Sequence, residues 1–227
     1  MSVHLHQALT NIMAMRYFKN EHAQSRNTTH GHEHAVAEKL TNNNFIETKI
    51  EECPLLTKNI IKQWIQTGDD KYLRDVISHI PVGSFIMQPA GSQSFPDFII
   101  RDHNDRFISL ECKSVGTGGA PMWNDNLPKQ ETIYVLSSGK HDSTTLFFGK
   151  DVISETVLSN QEDMIAEINQ ILQKYKVIND ACDNFGRGWY TKIRPQNFQQ
   201  GSSNITDYFL HKDRLQCEKN VLEFAAL

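Results

Sequence analysis

Residues 94–114 read SFPDFIIRDHNDRFISLECKS, and this stretch decides the fold. Two apolar runs, 98–100 and 107–110, flank the polar residues 102–105, which are Asp, His, Asn and Asp. Apolar runs separated by residues of this kind predict two strands joined by a turn. We therefore expect an antiparallel β-hairpin at the centre of the chain.

Alternation of side chains divides the second predicted strand into two faces. One face carries Phe107, Ser109, Glu111 and Lys113, whereas the other carries Ile108, Leu110 and Cys112. A single choice of strand register also brings Asp97 beside Glu111. We therefore expect two carboxylates and one ammonium group to converge at this end of the hairpin.

Such a group of charges needs a chemical reason, because charged side chains are rarely buried unless they are paired or bind a metal. Carboxylate oxygens suit Mg²⁺, which binds proteins through one or two carboxylates and completes its shell with water and substrate phosphates. A nearby lysine would offset the charge that develops when water attacks a phosphodiester. The alternative is a solvated hairpin with an exposed Glu-x-Lys ion pair.

The pair Pro96-Asp97, thirteen intervening residues and then Glu111-Cys112-Lys113 resemble the PD-(D/E)xK nuclease motif, which is most familiar in type II restriction endonucleases. The resemblance implies an α/β fold with a restriction-endonuclease-like mixed central sheet flanked by helices. It also implies Mg²⁺-dependent hydrolysis of double-stranded DNA at a short specific sequence. Asp97, Glu111 and Lys113 would be the catalytic residues, and Asp97 and Glu111 would bind Mg²⁺.

A helix predicted from Thr28 to Leu40 supplies one more acidic candidate. This segment resembles the first helix of the PD-(D/E)xK core, in which many members carry a further metal-binding glutamate. Glu33 matches that position, although a glutamate that only stabilises the helix N-terminus explains it equally well. The histidines at 30, 32 and 34 alternate and would not converge on a helix, which argues against a zinc site.

Length and composition favour an ordinary soluble domain. We expect residues 1–227 to form one endonuclease domain with a helical N-terminal elaboration and a C-terminal DNA-contacting segment. The content of 39% hydrophobic and 22% charged residues is typical of globular proteins. No apolar run approaches the ~20 residues that span a bilayer, and the N-terminus lacks a signal-peptide core. Four scattered cysteines without a Cys-x-x-Cys pair are typical of reduced thiols, so we expect a cytoplasmic protein.

The net charge of −4 is unusual for a protein that binds DNA, but the charge is unevenly distributed. Residues 151–170 contain five acidic residues and no Lys or Arg, so the remainder of the chain carries +1. Candidate DNA contacts lie in loops after the hairpin and are Asn124, Asn126, Lys129, Gln130, Lys140, Arg187, Lys192 and Arg194. Ordinary exposed loops would contain the same residue types.

Hydrophobic periodicity predicts the remaining elements. Helices are expected over 5–18, 55–66 and 71–80, with strands over 45–50, 84–88, 133–136 and 145–148. The helix from Gln161 to Tyr175 carries an apolar stripe that we expect to lie in the core. Residues 205–224 are expected to pack as a strand and a helix.

Several alternatives stay open. By resemblance, we expect a homodimer on a palindromic DNA site and a cognate DNA methyltransferase in the same system, without direct contact between the two. A repair or structure-specific nuclease of the same superfamily would carry the same motif. The chain could also be a non-catalytic DNA-binding module, or an unrelated soluble protein whose hairpin matches the pattern.

Overall fold

The computed structural model describes residues 3–21, 31–92, 94–124, 127–183, 185–193, 196–197 and 206–227. Its helices are α1 (Val3–Met13), α2 (Phe18–Glu21), α3 (His32–Thr41), α4 (Lys58–Thr67), α5 (Lys71–Ile77), α6 (Gly149–Val152), α7 (Glu155–Cys182) and α8 (Arg214–Ala226). Its strands are β1 (Ile46–Thr48), β2 (Ser84–Met87), β3 (Phe98–Arg101), β4 (Phe107–Val115), β5 (Trp123–Asn124), β6 (Ile133–Ser138), β7 (Ser143–Phe148) and β8 (Gln196–Asn197).

Six strands form one mixed sheet in the order β1-β2-β3-β4-β6-β7. The pairs β1–β2 and β4–β6 are parallel, and the other three neighbouring pairs are antiparallel. The short strands β5 and β8 pair separately. The predicted α/β fold with a mixed central sheet flanked by helices is therefore confirmed.

The side chains of the hairpin alternate between two hydrophobic clusters, one on each face of the sheet. Phe98, Ile100, Ile108 and Leu110 belong to the cluster that packs against α1, α3 and α8. On the other face, Ile99 and Phe107 join the residues of α4 and α5. The sheet is thus covered by helices on both faces, and the two-face assignment made from alternation is confirmed.

The prediction that the stripe of the long helix lies in the core is wrong. Helix α7 runs over 28 residues, and none of them is buried. Met164, Ile171 and Tyr175 are 44%, 56% and 56% exposed. Periodicity shows which side chains share a helix face, but it does not show whether the rest of the chain covers that face.

Two further expectations are corrected. The first helix ends at Met13, and a separate short helix begins at Phe18. Within 206–227 the chain forms turns and then α8 rather than a strand and a helix, and Leu210 and Leu215 are exposed. None of the helices in the described ranges has the length and apolar character needed to cross a membrane.

The turn between β3 and β4 is built around Asp102, whose side chain is fully buried. Its Oδ1 accepts hydrogen bonds from the backbone N–H groups of Asn104 and Arg106, each at 2.9 Å. Its Oδ2 accepts a hydrogen bond from Arg106 Nε at 2.8 Å. Arg106 Nη1 in turn donates to the carbonyl of Phe224 in α8 at 3.0 Å. One carboxylate therefore shapes the hairpin turn and holds the arginine that ties it to α8.

We predict that Asp102→Ala lowers the free energy of unfolding by about 2–4 kcal/mol, because Arg106 would lose the partner that compensates its partly buried charge. Urea unfolding monitored by circular dichroism measures this change. Asp75→Ala is the matched control, since Asp75 is exposed on α5 and its substitution should cost little. Equal effects of the two substitutions would contradict the role assigned to Asp102.

Candidate active site

The structure brings Asp97, Glu111 and Lys113 together at one end of the hairpin. In the β3–β4 register Phe98 pairs with Leu110, so Asp97, the residue before β3, lies opposite Glu111. The backbone N–H of Asp97 donates to Glu111 Oε2 at 3.1 Å. The two acidic residues are therefore cross-strand neighbours on the same face of the sheet.

Main-chain contacts hold Asp97 in place. Its Oδ2 accepts a hydrogen bond from the backbone N–H of Cys112 at 2.7 Å. Its carbonyl accepts another from the backbone N–H of Gln88 at 2.7 Å. The position of this carboxylate is therefore fixed by the sheet and by the end of β2.

Glu111 and Lys113 form an ion pair between side chains that lie two residues apart on the same face of β4. Lys113 Nζ lies 2.7 Å from Glu111 Oε1. The side chain of Glu111 is 10% exposed and that of Lys113 is 24% exposed, so the pair lies at the edge of the protein interior. Lys113 Nζ also lies 5.8 Å from the centre of the Trp123 ring, within the range of a cation–π contact.

A second Glu-x-Lys pattern in the same sheet shows what is specific to this site. Glu47 and Lys49 also form an ion pair at the same spacing, but their side chains are 34% and 62% exposed. That pair is the exposed ion pair that the sequence analysis gave as the alternative explanation of a Glu-x-Lys pattern. The half-buried position and the neighbouring Asp97 distinguish Glu111 and Lys113 from it.

Burial opposes the ionisation of both carboxylates. Burial, followed by the charge of Glu111, raises the pKa of Asp97 to about 7, although the Cys112 N–H and Lys113 act in the opposite direction. Burial also raises the pKa of Glu111, and Lys113 opposes that rise. One ammonium group therefore does not compensate two carboxylates, and the site favours an additional positive charge.

Glu33 lies near this pair but does not join it. Its charge contributes to the raised pKa of both Asp97 and Glu111. Its Oε2 is 2.9 Å from the point that a Cβ on Gly31 would occupy, so the side chain turns back toward the start of α3. Among the described residues, no three His, Cys, Asp or Glu side chains form a group that could hold a metal ion. The role of Glu33 as a ligand therefore stays a prediction.

No known protein family matches this chain, and no curated protein or solved structure matches it either.

The two acidic side chains nevertheless fit the requirements of Mg²⁺. This ion commonly binds a protein through one or two carboxylates and keeps water and substrate phosphate as its other ligands. Asp97 and Glu111 supply two such carboxylates at adjacent positions, and burial raises the pKa of both. The donor chemistry of this pair therefore suits a divalent cation.

Three of the predicted DNA-contacting side chains are engaged within the protein. Lys140 Nζ lies 2.8 Å from Asp207 Oδ2, an oxygen that also contacts His141. Lys129 Nζ lies 3.6 Å from Glu162 Oε1 on α7. Gln130 Nε2 donates to the carbonyl of Ile153 at 3.4 Å. DNA would have to replace or share these contacts.

The other predicted DNA contacts differ in how well they are placed. Arg187 and Lys192 lie on the exposed segment 185–193 that follows α7. Asn126 and Arg194 lie outside the described residues, and of Asn124 only the backbone, in β5, is described. The structure therefore leaves Arg187 and Lys192 as the accessible cations of this set.

Trp123 is the site residue that the sequence analysis missed. It is buried, packs edge-on against Tyr134 with ring centres 5.0 Å apart, and lies beneath Lys113. The signal was a tryptophan within a loop rich in Gly and Pro, where a large aromatic side chain commonly anchors the chain. The hydrogen bond from the Cys112 backbone N–H to the Asp97 carboxylate could be found only once the strand register was known.

We predict that, without metal, ionisation of Asp97 destabilises the protein as the pH rises from about 4 to about 7, whereas buried His32, whose pKa is lowered to about 4 by burial, acts in the opposite direction over the same range. The pKa of Asp97 rises from 3.8 to about 7 on folding, so the folded state binds this proton more tightly than the unfolded state. The expected loss is on the order of 2–4 kcal/mol and is complete above the folded-state pKa. Urea unfolding in EDTA across this pH range measures it.

The Asp97→Asn variant should lose the Asp97 contribution, because it carries no ionisable group at that position, and its stability relative to the wild type should therefore rise between pH 4 and pH 7. The control Asp69→Asn, on the surface, should retain the wild-type profile. A difference in stability between the wild type and Asp97→Asn that stays constant from pH 4 to pH 8 would contradict the electrostatics of the site.

Proposed function

We propose that the protein is a Mg²⁺-dependent endonuclease of the type II restriction class, which hydrolyses phosphodiester bonds in double-stranded DNA at a short specific sequence. The observation that carries the proposal is the cross-strand contact of Asp97 with Glu111 beside Lys113. Binding of nucleic acid alone would not need two adjacent carboxylates, since these repel phosphate. Hydrolysis of a phosphodiester would use them to hold a cation.

In this proposal Asp97 and Glu111 hold the ion. Their carboxylates are positioned by the backbone N–H groups of Cys112 and Asp97, so little rearrangement is needed before the ion binds. The bound Mg²⁺ would polarise the scissile phosphate and lower the pKa of the attacking water. Since water is the nucleophile, no covalent link between protein and DNA is needed.

Lys113 supplies the positive charge next to the reacting phosphate. Its ammonium group is held by Glu111 at 2.7 Å and lies over the ring of Trp123. From there it can orient the attacking water and offset the negative charge that develops on the phosphate oxygens. Its half-buried position increases this effect, because screening by solvent is weaker there than on an open surface.

DNA binding in this proposal depends on cations outside the catalytic group. Arg187 and Lys192 are exposed and available for phosphate contacts, whereas Lys129 and Lys140 would have to exchange their carboxylate partners for DNA. Such an enzyme would act in the cytoplasm alongside a cognate methyltransferase that protects the host DNA.

We predict that the purified protein cuts unmethylated plasmid DNA into discrete fragments in Mg²⁺. Asp97→Asn and Lys113→Ala should each lower the cleavage rate by about a thousand-fold or more, because each removes a group that acts on the reacting phosphate. Gel electrophoresis of timed digests measures the rate.

Lys49→Ala is the matched control, since Lys49 occupies the same Glu-x-Lys spacing on the exposed β1 side of the sheet. This variant should cut at the wild-type rate. Absence of cleavage by the wild type in Mg²⁺ and Mn²⁺ across varied DNA would refute the proposed activity. Cleavage restricted to branched or damaged DNA would instead identify a structure-specific nuclease.

We also predict that Mg²⁺ raises the melting temperature of the wild type at pH 8, since the ion binds the folded state and relieves the repulsion between Asp97 and Glu111. Asp97→Asn and Glu111→Gln should abolish the shift. Glu33→Gln should reduce it less, because Glu33 lies beside the pair without contacting it. Differential scanning fluorimetry measures the shift, and an equal shift in all variants would exclude ion binding at this site.

A further inference from the structure

Helix α7 is the largest feature of the chain that the proposed function does not use. It contains 28 residues, which corresponds to a length of about 42 Å. The rest of the protein leaves every one of these residues at least partly exposed. An apolar helix face of this length is unusual on the surface of a stable protein and indicates an interaction site.

The apolar residues of α7 follow a heptad repeat. Leu158, Ile165 and Leu172 are spaced by seven residues and form the first core position of the repeat. Ile168 and Tyr175 follow the last two of these by three residues and form the second core position. An alternation of three and four residues is typical of a helix that pairs with another helix in a coiled coil.

A second row of apolar residues lies beside the core positions on one side of the helix. Val157, Met164, Ile171 and Ile178 are also spaced by seven residues and are 44–56% exposed. These four residues and the five core-position residues are together called the seam below. The segment 185–193, which leads from α7 back toward β8, is itself exposed at Phe185 and Trp189.

We propose that the seam is the contact between two copies of this chain, which pair through their α7 helices in antiparallel orientation. A two-fold axis crosses the helix pair near Ile171, so the same surface is used on both copies. The inference depends on the seam alone and is independent of the proposed nuclease activity.

The charge distribution along α7 favours the antiparallel orientation. The first half carries Glu155, Glu162, Asp163 and Glu167 without a basic residue. The second half carries Lys174 and Lys176 and one acidic residue. A parallel pair would place the two acidic halves side by side, whereas an antiparallel pair places each acidic half against the basic half of the other copy.

The heptad positions are self-complementary in one antiparallel register. Ile168 meets Leu172 of the second copy, and Ile165 meets Tyr175 of the second copy, so the centre of the contact is apolar. One layer further out, Gln161 meets Asn179 of the second copy, which pairs two amides. The polar residues of the repeat therefore face each other instead of interrupting apolar layers.

The two flanks of the seam are also consistent with this register. On one flank, Met164 lies beside Ile178 of the second copy, and the two copies of Ile171 lie beside each other. On the other flank, Glu162 faces Lys176 of the second copy. Within one chain Lys176 pairs with Asp180 on its own helix, and Glu162 lies 3.6 Å from Lys129. Exposed pairs of this kind are weak and can be exchanged.

The size of the contact is sufficient for a dimer. The seam would bury on the order of 700 Å² of apolar surface on each copy, close to the about 800 Å² per partner of a standard stable interface. At one end of the seam, Leu158 and Glu162 also border a cleft of about 570 Å³ whose other wall includes Trp64 and Phe107.

The first test compares two substitutions on opposite sides of α7. Ile168→Asp places a charge in the centre of the seam and should weaken dimerisation by about a hundred-fold or more. Val177→Asp is the matched control, because Val177 is 58% exposed on the same helix but lies outside the seam. Sedimentation equilibrium measures both. A monomeric wild type across the micromolar range, or equal effects of the two variants, would overturn the proposal.

The second test exchanges the charges of the flank. Glu162→Lys and Lys176→Glu should each weaken the dimer by about ten-fold, because each creates two like-charge contacts across the two-fold axis. The double variant should recover the wild-type affinity. Failure of the double variant to recover, with the helix content unchanged by circular dichroism, would exclude the antiparallel register.

The third test distinguishes the two orientations by cross-linking in a Cys182→Ser background. A short bis-maleimide should link Ile171→Cys to its own counterpart in the second copy. Met164→Cys should not be linked, since an antiparallel pair separates its two copies by about 20 Å along the helices. A parallel pair would link both variants equally, and that result would contradict the proposal.

Discussion

The pairing of Phe98 with Leu110 is the constraint on which the rest of the structure depends. A slip of one residue would exchange the two faces of a strand, and apolar side chains would leave both hydrophobic clusters. The same register places Asp97 opposite Glu111. Packing of the core and assembly of the charged site are therefore specified by one arrangement of hydrogen bonds, and neither can change without the other.

This register also creates an electrostatic cost, because two carboxylates are brought together in a partly buried position. Backbone N–H groups and Lys113 reduce the cost without removing it, as the raised pKa of Asp97 shows. The exposed Glu47–Lys49 pair has no such cost, since solvent screens both of its charges. Position in the sheet, rather than the Glu-x-Lys spacing itself, gives Glu111 and Lys113 a partly buried environment that Glu47 and Lys49 lack.

Local features of the sequence were enough to predict the hairpin and its two faces, because alternation and turn chemistry act over a few residues. The mixed sheet was predicted from the resemblance to the nuclease motif. Long-range pairing could not be predicted. Lys140 was expected to be available for DNA, but it pairs with Asp207, which is 67 residues further along the chain. The apolar stripe of α7 was expected to lie in the core. Helical periodicity is the same for an apolar face that packs on its own chain and for one that packs on another molecule, so the sequence could not distinguish the two.

The pairing of β5 with β8 brings a strand from the later part of the chain next to the charged site. Strand β8 lies at the end of the segment that returns from α7, and it pairs Asn197 with Trp123. The ring of Trp123 supports Lys113 from below. A substitution that disrupts the β5–β8 pairing would therefore also remove the support that the Trp123 ring gives to Lys113.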